Sequence, residues 1–144
     1  MNDEQDRTQS AMESASQVGN VISKVGEIVI ILNDKRVTLE EKMIRMYLHD
    51  VAVTGAMIAG SLHALTRGGA YPDKQDLTNL ESVLLELIGS LDELLKMARY
   101  DLNFLEQYFE HGYYQKLRYE LCFVERLQSI QAKLSERLAT LQTG

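Results

Sequence analysis

Apolar side chains recur every three or four residues along most of the chain. The first series consists of Val18, Val21, Val25, Ile28 and Leu32. This spacing places all five on one stripe of an α-helix. The β-branched segment 29–31 would also suit a strand, but no second strand candidate is available to pair with it. The pattern therefore predicts a first helix with one apolar face, ending near Lys35 and Arg36.

A second helix is predicted after the sequence Thr38-Leu39-Glu40-Glu41. Thr38 is the expected N-cap, and Glu41, three residues later, completes a capping box. The apolar stripe of this helix consists of Ile44, Leu48, Val51, Gly55, Ile58, Leu62 and Leu65. The pair Gly68-Gly69 predicts the end of the helix, because glycine readily adopts the left-handed conformation that closes helices.

Two further helices follow from the same repeat. Asp73 is the expected N-cap of the third helix, after a turn at Tyr71-Pro72. The stripe of that helix consists of Leu77, Leu80, Leu84, Leu87, Leu91, Leu94 and Ala98, and it continues through Leu102, Leu105 and Phe109. Gly112 predicts a break. The stripe of the fourth helix consists of Leu117, Leu121, Val124, Leu127, Leu134, Leu138 and Leu141.

Four long amphipathic segments with short connections predict an all-α fold, an antiparallel (up-down-up-down) four-helix bundle. Short connections also predict that consecutive helices are neighbours in space. Residues 1–10 are polar and are expected to form a flexible N-terminal tail. Residues 11–144 are expected to form a single domain, because a chain of this length can bury roughly two thirds of its unfolded surface.

The charge distribution bears on the class of partner. The chain has a net charge of −6, and the segment 73–111 alone contains nine acidic and three basic residues. An acidic protein repels polyanions, which disfavours nucleic acid as a partner. The segment 112–144 is nevertheless basic, with five basic and three acidic residues. Its bases are candidate nucleic-acid contacts: Lys116, Arg118, Arg126, Lys133 and Arg137.

The single cysteine, Cys122, excludes an intrachain disulfide and favours a cytoplasmic location. Its apolar surroundings, Leu121-Cys122-Phe123-Val124, predict a buried thiol that packs as a small hydrophobe. The most apolar segment, 51–65, is too short and too interrupted to span a membrane, which requires about 20 apolar residues. No membrane association is therefore expected.

The residue sets that metal binding and catalysis require are missing from the sequence. The three histidines are His49, His63 and His111, and no glutamate has a histidine three residues later. His49 and His63 would lie roughly 21 Å apart along a helix, too far to share one metal ion. No glycine-rich phosphate loop is present. We therefore predict no metal site, no cofactor and no enzymatic activity.

Small residues recur along the second helix, and two interpretations are open. Ala52, Ala56 and Gly60 repeat every four residues, as do Gly55 and Ala59, while Gly19 and Gly26 lie on the first helix. Small residues let helix backbones approach closely. The favoured interpretation is tight packing of the second helix on the first. The alternative is a subunit interface or a ligand crevice.

Aromatic residues are concentrated at the junction of the third and fourth helices. Eight of the ten lie between Tyr100 and Phe123. One core cannot easily bury so many tyrosines, because each buried hydroxyl needs a hydrogen-bond partner. Tyrosine is enriched at protein interfaces. The candidate partner interface therefore consists of Tyr100, Phe104, Tyr108, Phe109, Tyr113, Tyr114 and Tyr119. The alternative is that half of these side chains pack inward.

Three segments resemble a known family: 51–60, the sequence Gly89-Ser90-Leu91-Asp92-Glu93-Leu94, and the sequence Phe123-Val124-Glu125-Arg126-Leu127. They are similar to the four-helix-bundle family of 23S rRNA intervening-sequence proteins and retroelement accessory variability proteins. The resemblance implies a cone- or barrel-shaped homo-oligomer, typically a pentamer, with a reverse-transcriptase or RNA partner. The accessory proteins are basic, whereas this chain is acidic.

Together these features predict a non-enzymatic, self-associating interaction module that acts as an adaptor, chaperone or inhibitor of another protein. The alternative is an accessory protein that binds nucleic acid or a reverse transcriptase. A third interpretation, an enzyme or small-molecule binder, would require a polar crevice with convergent ionisable groups inside the bundle.

Overall fold

The computed structural model of the protein describes residues 2–33, 39–100 and 113–143, and the side chains of residues 6–31, 33, 45–96, 99 and 122–141. Within these ranges the chain forms four helices and no strand. The helices are α1 (Asn2–Asn33), α2 (Leu39–Arg67), α3 (Lys74–Tyr100) and α4 (Tyr113–Thr143). They pack around one core, which confirms the predicted all-α four-helix bundle.

The first helix begins earlier than the apolar repeat indicated. It includes most of the segment 1–10, since α1 starts at Asn2. The Thr8 hydroxyl donates a hydrogen bond to the Tyr71 hydroxyl at 3.3 Å, and Ala11 is fully buried. The flexibility expected for this segment stays a prediction. The predicted helix end at Lys35 and Arg36 lies outside the described residues.

The end of α2 has the hydrogen bonds of a Schellman motif. Gly69 has a φ of 73°, in the left-handed region. The Ala70 N–H donates to the Leu65 carbonyl at 2.9 Å, and the Gly69 N–H donates to the Thr66 carbonyl at 3.1 Å. These two bonds satisfy carbonyls that the helix itself leaves unpaired. The prediction that Gly68-Gly69 ends the second helix is confirmed.

The other helix boundaries agree with the sequence signals where they are described. α2 begins at Leu39, directly after the expected N-cap, although the side chains of the capping box lie outside the described residues. α3 begins directly after Asp73, whose carbonyl accepts a hydrogen bond from the Leu77 N–H at 3.0 Å, as an N-cap carbonyl does. The predicted continuation of the third helix to Phe109 and the break at Gly112 lie outside the described residues.

The apolar stripes form the core. Each predicted stripe position with a described side chain is buried, except that Leu138 is half-buried and Leu141 is exposed. Leu141 was expected in the core, but it lies at the end of the bundle, where it contacts Gly68. The core also contains residues that the repeat did not identify: Ala11, Ala15, Tyr47, Val83, Leu95, Phe123 and Ile130.

The spatial order of the helices differs from the expected one. α1 packs against α2 and α3, and α4 packs against the same two helices. α2 and α3 therefore lie on a diagonal of the bundle, although they follow each other in the chain. Helices packed 8–10 Å apart place diagonal axes about 14 Å apart. The connection 68–73 can span this distance, because six residues reach up to about 20 Å.

Contacts at two levels of each helix pair indicate the helix directions. In the first set of helix pairs, α1 meets α2 at Val18 with Gly55 and at Asn33 with Arg45. α3 meets α4 at Asp76 with Lys133 and at Glu86 with Arg126. In the second set, α1 meets α3 at Lys24 with Asp92 and at Glu27 with Arg99. The α2 side meets α4 at Ser61 with Gln131 and, just after the end of α2, at Gly68 with Leu141. Residue numbers run in opposite directions in the first set, which indicates antiparallel pairs. They rise together in the second set, which indicates parallel pairs.

Substitution of a core leucine on α3 should destabilise the protein far more than substitution of an exposed one. Leu87 is fully buried and Leu91 is 1% exposed, so Leu87→Ala or Leu91→Ala should lower the free energy of unfolding by about 2–5 kcal/mol. The matched control is Leu85→Ala on the same helix, where the side chain is 69% exposed and a change within about 0.5 kcal/mol is expected. Urea denaturation followed by circular dichroism measures both, and equal losses would contradict the assigned core.

Candidate functional site

The aromatic residues proposed from sequence as a partner interface have side chains outside the described residues. This applies to all seven: Tyr100, Phe104, Tyr108, Phe109, Tyr113, Tyr114 and Tyr119. Their role stays a prediction. The structure does place the last aromatic of that region, Phe123, in the core, where it is 2% exposed. Phe123 therefore belongs to the bundle interior.

Acidic residues of α3 neutralise two of the three described basic candidates on α4. The Arg126 guanidinium pairs with Glu86 at 2.5 Å, and the Lys133 ammonium pairs with Asp76 at 3.4 Å. Arg137 is exposed and forms no ion pair within the described part of the chain. Lys116 and Arg118 have side chains outside that part. The acidic and basic segments found in the sequence therefore face each other across the α3/α4 contact.

An open groove of about 600 Å³ lies at one end of the bundle, where the 68–73 connection meets α3 and α4. It is lined by Ala70, Asp73, Asp76, Lys133, Glu136, Arg137, Thr140 and Leu141. Three carboxylates face two cations, so the groove offers no excess of positive charge to a phosphate. Small-molecule pockets are usually apolar with a few convergent polar groups. The charged lining of this groove departs from that pattern.

The small residues of α2 divide between two environments. A Cβ atom on Gly55 would lie 3.2 Å from Val18 Cγ1 and 3.7 Å from Ile22 Cγ1, so α1 and α2 pack closely there. This confirms the packing interpretation at Gly55. Gly60 and Ala56 are exposed, and a Cβ on Gly60 would have no neighbour within 4 Å. These two residues are therefore free of the α1/α2 contact.

Gly19 and Gly26 of α1 are also exposed, and a Cβ on either would have no neighbour within 4 Å. The expectation that they support helix packing is wrong. The apolar stripe of α1 contains Val18 and Val25, which are buried. One step along a helix turns the side chain by about 100°, so the following glycine in each case points away from the core.

The outer face of α2 has an exposed apolar stripe that the sequence reasoning missed. Met46, Val53 and Met57 are 67%, 44% and 52% exposed. The segment 51–66 contains no aspartate, glutamate, lysine or arginine, so the outer face lacks the charges that normally cover a surface helix. This uncharged run was the available signal. We define the outer α2 stripe as the exposed positions Met46, Asp50, Val53, Met57, Gly60, Ala64 and Arg67.

The remaining chemical candidates are dispersed over the surface. His49 and His63 are exposed, and no group of three metal-ligating side chains occurs among the residues that the structure describes. Cys122 is exposed, so the predicted buried thiol is wrong. The reason is again helix geometry, because Phe123 and Val124 occupy the buried face and the adjacent position turns outward.

Comparison with protein-family models, with curated proteins and with solved structures gives no match. The resemblance to the 23S rRNA intervening-sequence and accessory variability proteins therefore stays a prediction. None of the helices, over their described residues, is long and apolar enough to cross a membrane.

Enlarging Gly55 should destabilise the bundle, whereas the same change at an exposed glycine should not. Gly55→Leu would force side-chain atoms into Val18, and overpacking of this kind costs about 1–3 kcal/mol. The control is Gly89→Leu on α3, where a Cβ has no neighbour within 4 Å and better helix propensity should add up to about 1 kcal/mol. Thermal unfolding measures both. A stable Gly55→Leu variant would contradict the close α1/α2 contact.

The wild-type protein should not be retained on single-stranded or duplex RNA at low salt, because its net charge is −6 and carboxylates of α3 pair with Arg126 and Lys133, two of the three described basic residues of α4. The double variant Asp76→Asn, Glu86→Gln releases Lys133 and Arg126, so its retention should increase. Glu81→Gln is the matched control, since Glu81 is exposed on α3 and lies outside both ion pairs. Strong wild-type retention that falls steeply with added salt would contradict this expectation.

Proposed function

We propose that this protein is a non-enzymatic helical-bundle module that associates with itself and binds another protein as an adaptor, chaperone or inhibitor. The observation that carries the proposal is the outer α2 stripe, an apolar surface on a bundle whose core is already filled. A cytoplasmic location agrees with the lone exposed cysteine and is part of the same proposal.

The stripe supports protein binding because folding of the single chain leaves much of its apolar side-chain area in water. Met46 and Met57 are each more than half exposed, whereas the core leucines of the same helix, Leu48 and Leu62, are fully buried. Single exposed apolar residues are common on proteins, but contiguous exposed apolar surfaces mark interaction sites. Methionine suits such a surface, since its flexible side chain adapts to a partner.

The outer face of α3 is less suited to binding a protein than the outer face of α2. The outward positions of α3 include Glu81, Glu86 and Glu93, and Leu85 is an isolated exposed leucine among them. Charged residues are depleted from the centre of protein interfaces. The outer face of α2, with no aspartate, glutamate, lysine or arginine from 51 to 66, is therefore closer to the composition of an interface centre than the outer face of α3.

The aromatic segment between the third and fourth helices is the second part of the proposed interaction surface. Its tyrosines are the proposed contacts to the partner protein, and the outer α2 stripe is the proposed contact between copies. Tyrosine combines a large contact area with a hydroxyl that bonds at the rim of an interface.

Removal of the tyrosine rings should abolish capture of the partner and leave the fold intact. The variants Tyr108→Ala and Tyr113→Ala should lose the protein that co-purifies with wild type from its native host, with little change in melting temperature. Leu85→Ala, an exposed change outside both proposed surfaces, should retain it. Quantitative mass spectrometry of the captured material measures the loss. Unfolding of both tyrosine variants would assign these rings to the core and overturn the proposed interface.

The alternative, a nucleic-acid or reverse-transcriptase accessory protein, has less support. In its favour are the family resemblance and the exposed, unpaired Arg137 within the described α4. Against it are the ion pairs that hold Arg126 and Lys133 to α3 carboxylates. A phosphate backbone would have to displace these carboxylates, which lowers the gain from each contact.

A further inference from the structure

The outer α2 stripe repeats with a period that fits a second helix. Its seven positions are separated by steps of four, three, four, three, four and three residues, and all seven are exposed. This is the spacing of a coiled-coil seam. It is distinct from the stripe that faces the core, which Leu48, Val51, Ile58, Leu62 and Leu65 form. α2 therefore has two seams, of which the bundle covers one.

We infer that the outer α2 stripe binds the same stripe of a second copy of this chain, with the two helices antiparallel about a two-fold axis. The inference rests on the proposed self-association and identifies its surface and register. The axis passes between residues 58 and 59. The facing pairs across it are Asp50 with Arg67, Val53 with Ala64, and Met57 with Gly60 of the second copy.

The apolar centre of this register pairs large side chains with small ones. A Cβ on Gly60 would have no neighbour within 4 Å, so the backbone there is open to an incoming side chain. Met57 of the second copy would fill that space, and Val53 would pack on Ala64 in the next layer. Small residues permit close approach of the two backbones. Each contact occurs twice, as it must in an isologous interface.

Charge complementarity selects the antiparallel arrangement. The stripe has one acid near its start, Asp50, and one base at its end, Arg67, with no aspartate, glutamate, lysine or arginine between them. Neither forms an ion pair with the described residues of its own chain. Antiparallel pairing brings each next to its opposite, whereas a parallel arrangement in register would oppose Asp50 to Asp50 and Arg67 to Arg67. Like charges in apposition disfavour a complex.

A second copy is favoured over an unrelated protein because the stripe is complementary to itself. The order acid, valine, methionine, glycine, alanine, arginine meets its own reverse with every large residue opposite a small one and every charge opposite its counterpart. In this register the paired positions run from Asp50 to Arg67, a length of about 26 Å at about 1.5 Å per residue, and Met46 lies beyond them. The contact involves about five turns of each helix.

Charge reversal with rescue tests the register. Light scattering and sedimentation equilibrium of the full-length wild type should give twice the 16.4 kDa of one chain. The variants Asp50→Arg and Arg67→Glu should each raise the dimer dissociation constant about tenfold or more, because each places like charges together at both ends. The double variant should return to the wild-type value, and an equimolar mixture of the two single variants should form a heterodimer. All of these positions are exposed, so circular dichroism should be unchanged.

A steric variant tests the apolar centre independently of charge. Gly60→Leu fills the space proposed for Met57 of the second copy and should also weaken the dimer about tenfold or more, since overpacking is destabilising. Gly89→Leu is the matched control, because Gly89 is an equally open helical glycine on α3. Its dimer should keep the wild-type dissociation constant.

Three outcomes would overturn the inference, and they differ in what they imply for the proposed function. A wild type that stays a 16.4 kDa monomer at high concentration removes both the two-fold contact and the proposed self-association. A ring with an odd number of subunits, such as a pentamer, supports self-association but excludes this contact as its basis, because such a ring contains no two-fold axis. A dimer whose affinity ignores both the charge reversals and Gly60→Leu has its interface elsewhere on the bundle.

Discussion

The structure depends on the burial of one apolar stripe from each of four helices in a shared core. Removal of apolar area from water stabilises the folded state by about 25 cal/mol per Å², and no single helix can achieve this burial alone. Leu48, Leu62 and Leu87 are fully buried, and each comes from a seven-residue repeat. Burial in this core drives the association of the helices. The connections, caps and surface ion pairs lie around the core and orient the helices.

The diagonal placement of α2 and α3 determines which surfaces face each other. Because α4 packs between them, its basic residues lie beside the acidic residues of α3, and Arg126 pairs with Glu86. α1 packs on α3 through Lys24 with Asp92 and Glu27 with Arg99. Exposed pairs of this kind contribute little stability individually, but they match helices to their correct neighbours. The same pairing occupies Arg126 and Lys133, two of the three basic residues of α4 whose side chains the structure describes.

α2 combines a closely packed inner side with an outer side that lacks charged residues from 51 to 66. Its inner side packs on α1 at Gly55, where Val18 leaves no room for a side chain. Its outer side has the exposed stripe with the open Gly60. A helix with sixteen consecutive residues, 51–66, that include no aspartate, glutamate, lysine or arginine would be unusual on a fully solvated surface. The proposed dimer would cover that surface and explain this composition.

The sequence alone determined the four helices, the end of α2, the start of α3 and most of the core, because those features follow from local signals. The seven-residue repeat predicted buried positions from Val18 to Leu134, and Gly68-Gly69 predicted the end of α2. The helix order, the exposure of Cys122 and the outward position of Gly60 were decided only by the tertiary structure. These depend on which helices become neighbours and on small rotations about each axis, and periodicity specifies neither. For the same reason a stripe of small residues could be recognised in the sequence, but its division into a packed half and an open half could not.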